Sequence, residues 1–154
     1  MAIIIFFTIV FIIFFIYYSR LQSQNQQNQK EERISKIIIE NVKNIRGMDE
    51  LKCTLLGVEG ITCIDLLKLN SLKALINSNE FARSYYSQIF GNSEIELQII
   101  YAHTNEYRMK NISLYASDYS SYKNSKVFFQ PIVVYNPETK KNYFAFIKYT
   151  YKYN

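Results

Sequence analysis

Hydrophobic and polar positions in this chain fall into three regimes, and the changes between them predict its layout. Residues 1–18 read MAIIIFFTIVFIIFFIYY, with Thr8 the one clearly polar side chain. As a helix this run rises about 27 Å, close to the roughly 30 Å hydrocarbon core of a bilayer. Tyr17 and Tyr18 then fall where aromatic rings prefer the headgroup boundary, and Arg20 follows at once. Residues 22–33, QSQNQQNQKEER, contain no apolar side chain, so they predict either a flexible spacer or a fully solvated helix. Beyond them Ile34, Ile37, Ile38, Val42 and Ile45 recur at the spacing of one helical face. Glu32 and Lys36 form a favourable i,i+4 pair, and Gly47 stands where a C′ glycine would end the helix. The simplest reading is one long helix from the apolar run to Arg46.

The next stretch reads as a loop holding Cys53 and Cys63, followed by Thr62-x-x-Asp65, a capping-box pattern in its acidic variant. Leu66, Leu69, Leu72 and Ile76 give the helix after it a buried stripe. A second short helix starts near Asn79, carries Phe81, Tyr85 and Ile89 on one face, and ends at Gly91. There the period changes from helix to strand. Ile95, Leu97, Ile99 and Tyr101 alternate with Glu94, Glu96 and Gln98, which predicts a half-buried strand. Residues 102–111 are polar and read as a loop, and 112–116 as a short strand. Residues 127–135, the turn Asn136-Pro137-Glu138 and residues 143–153 predict a long antiparallel hairpin. Pro131 cannot donate to a ladder, so its strand should lie at an edge or carry a bulge.

The expected fold class is therefore α+β: an N-terminal transmembrane helix continuing into a long amphipathic helix, two short helices, then a C-terminal antiparallel β-sheet. Its parts are an anchor over 1–18, a polar spacer or solvated helix over 19–33, and an α+β domain over 34–154. With 154 residues the chain has room for one domain beyond an anchor. Four glycines and two prolines exclude collagen-like and Pro-rich linkers. A cleaved signal peptide would want a basic n-region and a small-x-small site, and YYSRLQ supplies neither, so the anchor reads as uncleaved.

Charge complicates the picture in two places. Arg20, Lys30, Arg33 and Lys36 follow the apolar run, and the positive-inside rule applied to them puts the domain in the cytoplasm. The net +5 also lies wholly in residues 101–154, where eight Lys/Arg face three Asp/Glu. A basic C-terminal third suits an anionic partner such as DNA, but the plainer reading, preferred here, is a solvated lysine face that keeps the domain soluble. On the last strand Tyr149 and Tyr151 lie beside Lys148 and Lys152, the chemistry of stacking on a base or sugar, and equally of a half-exposed sheet packed on a helix.

Candidate chemistry is sparse. Cys53 and Cys63 are the only cysteines; with a single histidine the chain cannot easily complete a zinc site, and the spacing is not that of a redox C-x-x-C. A disulfide between them would restrict the unfolded chain by roughly 2–3 kcal/mol, and it argues for an outside location against the charge rule. Two reduced buried cysteines in a cytosolic protein are the alternative. Asn111-Ile112-Ser113 matches the N-glycosylation acceptor pattern. His103, the sole histidine, has no Ser, Cys or Asp tied to it by spacing. No Gly-rich phosphate loop, H-E-x-x-H or G-x-S-x-G occurs, so neither an enzyme, a cofactor nor a small-molecule substrate is expected.

An apolar helix start over 1–18, the stripe Ile34 to Ile45 and strands at the C-terminus together resemble the type IV pilin-like proteins of bacteria and archaea. That resemblance implies an apolar half-helix that sits in the membrane and later packs into a filament core. The sequence departs from the family at its processing site, a basic leader ending in Gly, which is absent, and at the early glutamate, where Ile5 stands. The expected function is a non-enzymatic, single-pass membrane-anchored protein with its domain outside the cytoplasm, acting through protein contacts in an envelope or pilin-like assembly. Its partners would be the bilayer and other proteins, or its own copies through the Ile/Phe face of residues 3–16. The alternatives are a surface module for an anionic polymer and a cytoplasm-facing accessory subunit of a membrane complex.

Overall fold

A computed structural model describes the backbone of residues 2–55, 58–103, 106–117 and 122–154. Side chains are described for the same residues except 2–5, 8, 54–62, 102–103 and 106–107. The chain divides into two compact units, Met1–Ile37 and Ile38–Asn154.

Helix α1 spans Ala2–Gly47 without interruption. Residues 22–33 are thus helical rather than a loose spacer, as expected where no Gly or Pro breaks a run of Gln, Lys, Glu and Arg. Every described side chain from 6 to 33 is exposed. Among the described residues no helix is long and apolar enough to cross a membrane. Of the eighteen-residue apolar run, the side chains of 1–5 and 8 lie outside the described ones. Further on, Ile34, Ile38, Val42 and Ile45 are buried, whereas Ile37, expected in the same stripe, is exposed. Gly47 is the last helical residue and has no left-handed conformation, so it is not the C′ glycine expected. The chain turns instead through Met48, whose carbonyl accepts from Leu51 and Lys52.

The second unit holds a six-stranded sheet and two further helices. In chain order these are β1 (Lys52–Leu55), β2 (Val58–Asp65), α2 (Leu66–Ser78), α3 (Glu80–Phe90), β3 (Ser93–His103), β4 (Glu106–Ala116), β5 (Asn124–Asn136) and β6 (Lys141–Tyr153). The strand order is β1-β2-β5-β6-β3-β4. All neighbours are antiparallel except β2 and β5, which run parallel over Cys63–Val133 to Asp65–Tyr135. The expected C-terminal antiparallel sheet is therefore joined by two strands from the stretch read as a cysteine loop.

Local chemistry explains the helix ends and corrects one of them. Asp65, not Thr62, caps α2: its Oδ1 accepts from the backbone N–H of Leu67 at 2.8 Å and of Lys68 at 3.2 Å. Thr62 belongs to β2, and its side chain lies outside the described ones. Replacing Asp65 by alanine is expected to cost about 1 kcal/mol in a denaturant titration, the usual loss when a capping oxygen leaves two amides unpaired. Asn79 closes α2 with its backbone N–H on Leu75 and opens α3 with its side chain on Ala82, at 3.1 Å. Gly91, at φ 57°, ends α3 in the region that only glycine enters freely.

The apolar face of α3 is not the one its spacing predicts. Phe81 is 89% exposed and Tyr85 is exposed too, while Tyr86 and Phe90 are buried. The short helix carries two overlapping apolar stripes, and Phe90 wins because it reaches Tyr115 on β4, with ring centroids 5.3 Å apart. Residues 102–111, read as a loop, are largely strand, since β3 runs to His103 and β4 begins at Glu106. Their polarity is that of an edge strand, which meets water on its open side. Pro131 lies in β5, an interior strand and not an edge. The described β2–β5 pairing begins only at Val133, so no described ladder bond on that side needs the N–H that Pro131 lacks.

The core lies between the helices and one sheet face. Ile95, Leu97 and Ile99 of β3 pair with Tyr149, Ile147 and Ala145 of β6, and all six are fully buried. Leu69, Leu72 and Ile76 of α2 and Phe90 of α3 are buried as well.

Candidate functional site

Two surfaces of the molecule combine unusual chemistry with exposure: the start of α1 and the second face of the sheet. In α1, Phe6, Phe7, Phe11, Phe14, Phe15 and Tyr18 stand exposed together with Ile9, Val10, Ile12, Ile13, Ile16 and Tyr17. At 3.6 residues per turn these positions surround the helix instead of forming a stripe. Within the run Phe14 stacks on Tyr18 one turn later, at 6.4 Å between centroids. A helix apolar on all sides is unfavourable in water.

Cys53 on β1 and Cys63 on β2 form a disulfide, with their Cα atoms 5.4 Å apart. The bridge ties the two arms of a hairpin, where sequence reading placed a loop. Cys53 is buried and Cys63 half-buried. Because β1 is only four residues long and pairs with β2 alone, the bridge is its second tether to the sheet.

The structure does not bring Tyr149, Tyr151, Lys148 and Lys152 into one surface. Alternation along β6 sends the tyrosines and the lysines to opposite faces. Tyr149 is fully buried; its hydroxyl accepts from the Asn41 amide at 2.7 Å and lies 3.4 Å from the Phe90 carbonyl. Burial holds its phenol above the usual tyrosine pKa of 10.0. Lys148 and Lys152 reach across to β3 and pair with Glu96 at 3.2 Å and Glu94 at 2.5 Å. Their charge is thereby balanced within the sheet, which weakens the case for them as an anionic-polymer site.

Asn111 is exposed, on edge strand β4 and not in a loop, so its side chain is accessible for modification. His103 ends β3, and its side chain lies outside the described ones. Beside α3 opens a cleft of about 470 Å³ whose lining includes Arg83, Ser84, Ser87, Asn92, Tyr115 and Ser117. Several of its polar groups are spent internally: the Ser87 hydroxyl donates to the Ser84 carbonyl, and the Tyr115 hydroxyl to that of Gly91. Among the described residues no group of three His, Cys, Asp or Glu side chains gathers to hold a metal ion.

The chain matches no known family, no curated protein and no solved structure.

The surface that sequence reading missed is the second face of the sheet, built from Val127, Phe129, Pro131 and Val133 of β5 with Phe144 and Phe146 of β6. A signal for it exists. The stretch VFFQPIVVY is apolar at both parities, the mark of a strand meant for cover on two faces, where a half-solvated hairpin would alternate.

Proposed function

We propose that this chain is a non-enzymatic, single-pass membrane-anchored protein whose domain lies outside the cytoplasm and acts through protein contacts in an envelope or pilin-like assembly. The observation that carries the proposal is the start of α1, where every described side chain from Phe6 to Tyr18 is apolar and exposed around the whole helix. Inserting that surface into lipid, or packing it among identical helices, removes it from water at about 25 cal/mol per Å². The Cys53–Cys63 disulfide supports an oxidising compartment for the domain, because cytosolic thiols are kept reduced. Self-association through the Ile/Phe positions of residues 3–16 belongs to the same proposal.

Thiol labelling on intact cells with a membrane-impermeant maleimide tests it. Labelling of Cys63, the half-buried member of the pair, is expected only after an impermeant reductant has opened the bridge. Labelling that needs lysis and no reductant would place the domain inside. It would make the accessory-subunit reading, which the charges after the apolar run favour, the better one.

A further inference from the structure

We infer that the second face of the sheet is the docking surface for the same face of a second copy of this chain. One face of the sheet is covered: Tyr149 on it reaches Asn41 of α1 and Phe90 of α3. The opposite face has no helix on it among the described residues, yet it is apolar where a solvated face would be polar. Met109 is 61% exposed, Phe129 52%, Phe144 50%, Val127 46% and Val133 38%. Strand register makes these one patch, since Val133 pairs with Phe144, Phe144 with Ile100, and Ile100 with Met109. Phe144 and Phe146 hold each other edge to face, with centroids 4.9 Å apart, so part of the patch is already ordered.

Charge and area together select the occupant. Across β3, β4, β5 and β6 the charged side chains of this face that the structure describes are Glu94, Glu96, Lys148 and Lys152, and all four are used in two ion pairs. The face is thus neutral as it stands and presents no net charge for an oppositely charged partner to match. For the same reason two copies do not repel. The five exposed side chains put roughly 500 Å² of mostly apolar surface in water, taking about 200 Å² for each fully exposed Phe. The flanking Ile100, Phe146 and Pro131 and the stems of Lys148 and Lys152 bring the patch towards the roughly 800 Å² per partner of a standard interface. Two such faces can stack about 10 Å apart as the layers of a sandwich, giving each sheet the cover that the apolar run of β5 anticipates. The contact is isologous, so every side chain that docks also receives. This inference does not depend on the membrane location proposed above.

The test uses the full chain in a mild non-ionic detergent, with its mass followed by light scattering up to roughly 100 µM. The wild type is expected to form a dimer. Phe129→Glu and Phe144→Glu should each raise the dimer Kd at least tenfold, because each places a carboxylate that must shed its water in the apolar contact. Phe81→Glu, on the exposed side of α3, should leave the dimer unchanged. Thermal melting and an intact Cys53–Cys63 bridge identify a variant that dissociates while still folded. If Phe144→Glu melts early, Phe129→Glu on the neighbouring strand gives the reading. A wild type that stays monomeric over the whole range overturns the inference. So does a dimer that survives the Phe129→Glu/Phe144→Glu double variant. Loss of that surviving dimer on replacing Phe7 and Phe11 by serine would assign association to α1, which upholds the helix-mediated contact while removing the sheet face.

Discussion

Truncating Tyr149 to alanine is expected to destabilise the folded unit by about 3–5 kcal/mol, the usual range when a large buried ring is cut back to a methyl group. Its ring is completely buried on the middle of β6, opposite Ile95 on one neighbour and Phe128 on the other. It also links three elements, because the hydroxyl that accepts from Asn41 of α1 lies within reach of the Phe90 carbonyl at the end of α3. Tyr149→Phe separates the ring from the hydroxyl. It should cost about 1–2 kcal/mol, since the part-buried Asn41 amide loses its acceptor while the packing stays.

The phenol adds a pH dependence whose sign follows from its burial. Its folded pKa lies above 10.0, so the native state keeps the proton at a pH where the unfolded chain has begun to lose it. The stability linked to this group is complete below pH 10.0 and falls as pH rises through the folded value. Burial raises Tyr86 and Tyr101 in the same direction, so Tyr149→Phe should remove part of the alkaline slope and not all of it. Urea titrations at neutral pH and above pH 10 read both effects. A loss below about 1 kcal/mol for Tyr149→Ala would mean that the ring does not hold the helices to the sheet.

Opening the Cys53–Cys63 bridge has the second large effect expected. Cys53→Ala with Cys63→Ala, or reduction of the wild type, should lower stability by roughly 2–3 kcal/mol, because closure of this short loop no longer restrains the unfolded chain. The folded state should also show the change locally. With only β2 as a strand neighbour, β1 keeps its place once the bridge is gone through one short ladder and the Lys68 side chain, which donates to the Lys52 carbonyl at 2.8 Å. Amide exchange is therefore expected to accelerate in β1 and β2 well before it does in β3 and β6, which lie in the middle of the sheet with neighbours on both sides. Uniform acceleration across the sheet would instead show that the bridge acts on the unfolded chain alone.

Much of the architecture was legible in residue order because period and punctuation agreed. The stripe of α2, the boundary at Asn79, the stop at Gly91 and the β5–β6 hairpin around Asn136 all follow from local rules, and the disulfide follows from a pair of cysteines with few other uses. Local rules failed where a second partner decided the outcome. Thr62 and Asp65 both fit a cap, and strand pairing with β5 claims the residues up to Asp65, leaving Asp65 to do the capping. Phe81 and Phe90 lie on competing stripes of one short helix, and contact with Tyr115 selects the second. The cysteine segment lacks any alternation of its own, and it becomes strand because the bridge and β5 hold it there.

The same division applies to the candidate surfaces. The apolar start of α1, the charges after it and the helical course of residues 22–33 belong to composition and propensity, which act within a few residues and need no fold. Which side of β6 meets the helices is different. Tyr149 and Lys148 are adjacent in sequence, and only the register with β3 and the arrival of Asn41 send the tyrosine into the core and the lysine to Glu96. The apolar second face of the sheet is likewise a product of assembly, because it brings together β4, β5 and β6 across a strand order that does not follow the chain. Sequence by itself determined the three helices, the β5–β6 hairpin and the chemistry each could offer. Burial depends on neighbours distant in the chain, so only the tertiary structure decided which of that chemistry is spent inside and which is left facing outward.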